Sequence, residues 1–196
     1  MQGSAGSFRA HGLVRLVLIW AAVAVLSGCA SGPTHYRRED VDFDSIRKVA
    51  VLPLESFVTD RLAGERVRMA VISELLSRGV DVTEPGEVIR ALRTLNVESI
   101  RTLSSEEVRK LGQALGVDAV ITGSVGAFGI EKGVSVSYAE VSISLIVYES
   151  STGEIIGSSW HSTQGASFWT RHFGAEGKSL PEATREVVRK SIDVLF

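Results

Sequence analysis

A single cysteine, Cys29, in a chain of 196 residues leaves no internal disulfide to staple the fold, which must rest on its hydrophobic core. The place of that cysteine constrains the fold as much as its number. It follows a run, Leu13 to Leu26, that is apolar except at Arg15. The uninterrupted part, Leu16 to Leu26, is 11 residues long, whereas a membrane-spanning helix takes about 20. Residues 1–28 hold Arg9 and Arg15 and no Asp or Glu. A basic start, a short apolar stretch and small residues at its end describe a secretory signal peptide, and residues 1–28 are expected to be one. A core helix is the alternative, but nothing else in the chain is patterned to cover a helix apolar all round.

The run Leu26-Ser27-Gly28-Cys29 resembles the lipobox of bacterial lipoproteins. The resemblance implies cleavage between Gly28 and Cys29, a diacylglycerol thioether on Cys29 and an acyl chain of the palmitate type on the new amino group. Small Ser27 and Gly28 give a peptidase access, and only a thiol makes the thioether. Three chains together hold a protein on a membrane durably, since each buried methylene adds about 0.8 kcal/mol. Ala30 follows the cysteine, where an aspartate would be the other pattern. In a Gram-negative host this resembles the pattern sent to the outer membrane, which places the rest of the chain in the periplasm. No further cofactor is expected.

Cleavage there leaves residues 29–196. Removing Arg9 and Arg15 from 21 basic and 23 acidic side chains leaves 19 against 23. That balance gives no basic footprint for nucleic acid. The stretch Ala30 to Asp40, ASGPTHYRRED, is polar with Gly and Pro. Residues 29–45 are expected to be a tether, its first eleven residues past the cysteine reaching about 36 Å when extended. Residues 46–196 are expected to be one folded domain.

Within it, Lys48 to Leu54 is a short apolar run closed around Pro53, as for a buried strand. Val67, Ala70, Val71 and Leu75 recur at helical spacing before Gly79, which predicts a helix with a glycine cap. Val80 to Thr83 reads as a brief strand. Pro85 opens a helix carrying Val88, Leu92 and Leu95. Ser104-Ser105-Glu106-Glu107 is a capping box, and that helix ends at Gly116. From Ala119 the pattern turns to β. Glu131-Lys132-Gly133 predicts a turn. Val134, Val136 and Tyr138 alternate on one parity, and Val141, Ile143, Leu145 and Val147 on the other, which predicts a bulge or bend near Ala139-Glu140. Ser151-Thr152-Gly153 predicts a second turn, so three runs read as an antiparallel meander. Ser179-Leu180-Pro181-Glu182 is another capping box, leading a last helix. The class is α+β, a mixed or antiparallel sheet with helices packed on it, either in three layers or on one side only.

These pieces resemble a family. VAVLP (Val49 to Pro53), GVDAVITG (Gly116 to Gly123) and VSISLIVYESSTGEIIGSS (Val141 to Ser159), in that order, are similar to the periplasmic domain of the CsgG/LpoB type, itself similar to the amino-terminal domain of TolB. The resemblance spans about residues 46–196. It implies an outer-membrane lipoprotein that acts on another envelope protein or on copies of itself. CsgG builds a secretion pore, and LpoB activates a peptidoglycan synthase. The pore depends on two long inserted hairpins. Here about six residues lie between Leu54 and the first helix, and 13 between Gly126 and Glu140, too few for paired membrane strands of about 9–11 residues each. Two roles follow. One is a non-catalytic interaction or assembly factor at the envelope. The other is a subunit of a CsgG-like ring without membrane hairpins of its own.

Motifs for an enzyme are missing: no Gly-x-x-x-x-Gly-Lys, His-Glu-x-x-His or Gly-x-Ser-x-Gly occurs. The glycines of Gly123 to Gly129 lie in a β run and read as places where strands bend or approach closely. His35, His161 and His172 have no ligand partners at metal spacing. No catalytic residue, metal site or small-molecule substrate is expected. The best candidate for partner binding is the stretch from Trp160 to Phe173, which gathers Trp160, Phe168, Trp169 and Phe173 around Arg171. Aromatics with arginine are favoured at interfaces. The same aromatics could instead fold over an open face and complete the core.

Overall fold

The computed structural model describes residues 34–132, 137–163 and 178–196. One strand in from an edge of its sheet is β2 (Lys48–Val51). Val49, Val51, Ala50 and Leu52 have no solvent exposure, and they alternate between two separate apolar clusters. A strand covered on both faces reads as a continuous apolar run, which is why VAVL shows no alternation. β2 pairs in parallel with β4 (Asp81–Val82) on one side and β5 (Ala119–Lys132) on the other. The two-residue β3 (Glu55–Ser56) also pairs with β5.

Chain direction dictates the layers. From β2 to β4 the chain crosses through α1 (Ala63–Ser77). From β4 it returns past β2 to β5 through α2 (Pro85–Thr94) and α3 (Ser105–Leu115). Parallel crossovers are right-handed, so steps in opposite directions put their helices on opposite faces. Val67, Val71 and Leu75 of α1 join one cluster, and Val88, Leu92, Val108 and Leu111 join the other. The last helix, α4 (Leu180–Asp193), lies on the α1 side through Val187, Val188 and Ile192. The fold is α+β with a mixed sheet between two helical layers, the three-layer option.

β5, β6 (Ser137–Glu149) and β7 (Ile155–Ser162) form the expected antiparallel meander. Along β6 the residues from Ala139 to Val147 alternate strictly between buried and half-buried. The expected bulge at Ala139-Glu140 is absent, since those residues pair in register with Ile130 and Gly129. The extra residue sits on the partner strand between Val125 and Ala127. That bulge shifts the parity of β5 by one, so Phe128 continues on the face that Val125 began. Glu131 and Lys132, expected in a turn, pair with Tyr138 and Ser137 at the end of β5.

The tether expected over residues 29–45 is shorter than the sequence suggested. Thr34–Arg37 forms an edge strand, β1, antiparallel to β7. The Arg38 amide then donates to the Ile156 carbonyl at 2.8 Å. Phe43, in a 3-10 turn at Phe43–Ser45, is 2 % exposed and part of the core. The backbone hydrogen bonds of β7 and the burial of one phenyl ring draw residues 34–45 into the domain. The sheet order is β1-β7-β6-β5-β2-β4.

Candidate functional site

Alternation along β7 decides which side chains face solvent. Ile156, Gly157, Ser159 and His161 are buried, whereas Trp160 is 49 % exposed. Trp160 pairs across the sheet with Ser144 on one side and Thr34 on the other. On the same face, Tyr36 lies opposite Ser158 and is 52 % exposed. Ser142, Ser144, Ser158 and Ser162 surround the two aromatics, all half-buried. Helices α2 and α3 cover this face over β2 and β5 and reach β6 only at Ile146 and Tyr148. The half formed by β6, β7 and β1 carries no helix among the described residues. Of the five residues expected to bind a partner, Trp160 is on this surface. Phe168, Trp169, Arg171 and Phe173 lie outside the described residues, as do Gly28 and Cys29.

The inward side of β7 is unusual. The hydroxyls of Ser159 and of Ser191 on α4, and Nδ1 of His161, are buried without a hydrogen-bond partner among the described residues. Burial lowers the affinity of His161 for a proton, and Lys190 and His35 add to that, while Asp193 acts weakly the other way. His161 is 5 % exposed. His35 is exposed on β1.

A cleft of about 700 Å³ lies between α3 and the turn after β6, with Val41, Ile46, Arg109, Val117, Asp118 and Ser150 in its wall. The charged groups in and beside it are engaged within the fold. Asp118 accepts hydrogen bonds from the amides of Arg47 and Lys48 at 2.8 and 2.9 Å, tying β5 to β2. Arg109 donates to the Thr152 carbonyl at 3.1 Å. Glu106 pairs with Lys110 at 2.7 Å, and that bond holds its carboxyl below the usual range. Glu107 caps α3 through the hydroxyl and amide of Ser104. Asp40 is likewise engaged, accepting from Arg38 Nε at 2.7 Å. Among the described residues no group of three His, Cys, Asp or Glu side chains is placed to hold a metal ion, and no helix is long and apolar enough to cross a membrane.

Of the glycines of β5, Gly123 serves close approach, whereas Gly126 sits at the bulge and Gly129 has open space beside it. A Cβ on Gly123 would stand 2.1 Å from the Ser144 carbonyl oxygen, so only glycine lets β5 and β6 meet there.

No protein-family model matches the chain, and no curated protein matches it. Solved structures do. The fold belongs with domains in which a mixed sheet carries helices on both faces. It is similar to the PelC dodecamer from Paraburkholderia phytofirmans, with a TM-score of 0.58, 16 % identity, and coverage of 84 % of this chain and 96 % of that one. A point variant of that dodecamer in another crystal form matches with a TM-score of 0.54 and 17 % identity, over 81 % of this chain and 93 % of that one. The LpoB C-terminal domain from Escherichia coli is also found, at a TM-score of 0.44 and 14 % identity over 60 % of this chain and 82 % of its own. At such identities the likeness to the PelC structures is one of fold.

Proposed function

We propose that the chain is an outer-membrane lipoprotein with its domain in the periplasm, acting without catalysis as an assembly factor that associates with copies of itself or with another envelope protein. The observation that carries this reading is the position of β1. Only residues 30–33 separate Cys29 from Thr34, the first residue of the sheet. Five steps of about 3.4 Å give a leash of at most about 17 Å. A domain so leashed works at the membrane surface rather than far across the periplasm. The commitment of the cleft's charged groups to ion pairs, caps and strand ties supports a structural rather than catalytic role.

The ring reading, a subunit of a CsgG-like assembly without membrane hairpins of its own, gains support from one specific observation: the neighbour with the fuller match is a dodecamer. Self-association is therefore the form of assembly we favour. The anchor is tested by intact mass and membrane fractionation of the wild type beside Cys29→Ala. The expected result is a chain beginning at Cys29 with the added mass of a diacylglycerol and an acyl group, and release from the outer membrane in the variant. A wild-type chain with a free thiol, recovered as soluble protein, overturns the anchor.

A further inference from the structure

The sheet face that carries no helix among the described residues has a counterpart on the same chain. Leu62, Met69 and Leu76 are 59 %, 48 % and 53 % exposed, on or beside α1. Their seven-residue spacing returns each to nearly the same side of the helix, with a drift of about 20° per step. They form one apolar stripe along the solvent side of α1, about 21 Å long at 1.5 Å per residue. The charges beside it are paired locally: Arg66 with Asp60 at 2.7 Å, and Glu65 with Arg68 at 3.5 Å. The opposite side of α1, through Val67, Val71 and Leu75, is already spent on the core.

The receiving surface has matching dimensions. β7 is eight residues long, about 26 Å at 3.3 Å per residue. Its solvent side carries short side chains, Ser158 and Ser162 beside Ser142 and Ser144, which let a helix come close. Trp160 and Tyr36 supply exposed apolar area for that helix to cover. Among the described residues the outer helical layer stops at β6, so a helix laid over β6, β7 and β1 continues a layer that α2 and α3 begin. The stripe and the bare sheet lie on opposite faces of the domain, and they differ in kind. One chain therefore cannot satisfy its own sheet with its own α1, and two chains cannot satisfy both surfaces by a two-fold axis. Unlike surfaces that fit each other repeat head to tail, closing into a ring when the rotation allows.

We propose that copies of this chain assemble head to tail, the outer stripe of α1 in one copy seating on the bare β6-β7-β1 face of the next. The proposal rests on the self-association reading above and names its interface. The test uses the full lipoprotein extracted in detergent, with Met69→Cys on the stripe and Ser158→Cys on the sheet. Oxidation of the doubly substituted chain gives a ladder of covalent multimers. A mixture of the two single variants gives one new dimer, and each single variant alone, like the wild type, stays monomeric on a denaturing gel. Met69→Glu lowers the assembled fraction at least tenfold by light scattering with an unchanged melting curve. Assemblies that form without these crosslinks, or that crosslink through Met69→Cys alone, overturn the interface and leave self-association standing. A wild type that stays monomeric at every concentration overturns both.

Discussion

Alanine at Gly153 and alanine at Gly116 separate a dihedral cost from a steric one. Both glycines are left-handed, with φ of +74° and +60°. A Cβ in that region costs about 1–2 kcal/mol, partly offset by about 0.4–1 kcal/mol from the stiffer unfolded chain. At Gly116 nothing lies within 4 Å of the added carbon, so Gly116→Ala should cost about 1 kcal/mol. At Gly153 the same carbon would stand 2.2 Å from the Ser105 carbonyl oxygen and 2.7 Å from its carbonyl carbon and Cα. Those are backbone atoms in the first turn of α3, and no side chain can rotate away. Relief needs the Ser151-Thr152-Gly153 turn to retreat by about 1 Å, which pulls the Thr152 carbonyl off Arg109. Loss of that charge-assisted bond and of the packing adds about 2 kcal/mol. Gly153→Ala should therefore cost about 3 kcal/mol, from urea midpoints at an unchanged m-value. Equal costs for the two variants would refute the steric argument.

Other substitutions probe other links. Arg68 is 2 % exposed and donates through Nε and Nη2 to the Val51 carbonyl at 3.0 and 2.8 Å; Arg68→Met leaves that acceptor bare and should cost about 1–3 kcal/mol by denaturant melt, whereas an unchanged midpoint would show the carbonyl is otherwise satisfied. Leu145→Ala opens a void at a fully buried site and should cost about 2–5 kcal/mol by the same measurement. Acid should lower the stability of the domain over two pH ranges. Burial depresses His161 below its ordinary 6.5, so the folded state binds that proton less well than the unfolded one and stability falls once pH drops below 6.5. Glu107, bonded by the hydroxyl and then the amide of Ser104, and Glu182, bonded by the amide and then the hydroxyl of Ser179, lie below 4.5. Their contribution is full above 4.5 and fades as pH falls through the lowered values. His161→Leu should flatten the fall over the higher range and leave the lower, as read from melts across pH; an unaltered fall over the higher range would acquit His161.

The helices were legible because their ends are written in side chains. Ser104 with Glu107 and Ser179 with Glu182 form reciprocal caps. Gly79 and Gly116 take the left-handed conformation that stops a helix. The three-strand meander was legible from its alternation and from Gly153. What stayed hidden depended on partners distant in sequence. Thr34–Arg37 has no apolar alternation, and it is a strand only because β7 offers its edge. A parity change stood in the sequence before Val141, but β6 alternates strictly from Ala139 to Val147, and the bulge of this pair, in β5 between Val125 and Ala127, was not legible. The site was half legible. An aromatic-rich stretch marked Trp160, but Tyr36, its neighbour on the same face, lay in what read as tether. The apolar stripe on α1 was missed because Leu62, Met69 and Leu76 stand outside the i, i+3, i+4 pattern that announces a core face; their seven-residue spacing was the signal available.

The domain, held at the membrane by its leash, is proposed above to assemble with copies of itself. The most direct measurement is the native mass of the detergent-extracted wild-type lipoprotein, by light scattering corrected for bound detergent, across a dilution series. A discrete mass at a fixed multiple of the mature chain, falling toward one subunit on dilution or with Met69→Glu, is the result expected. The mass of a single subunit at every concentration would contradict it.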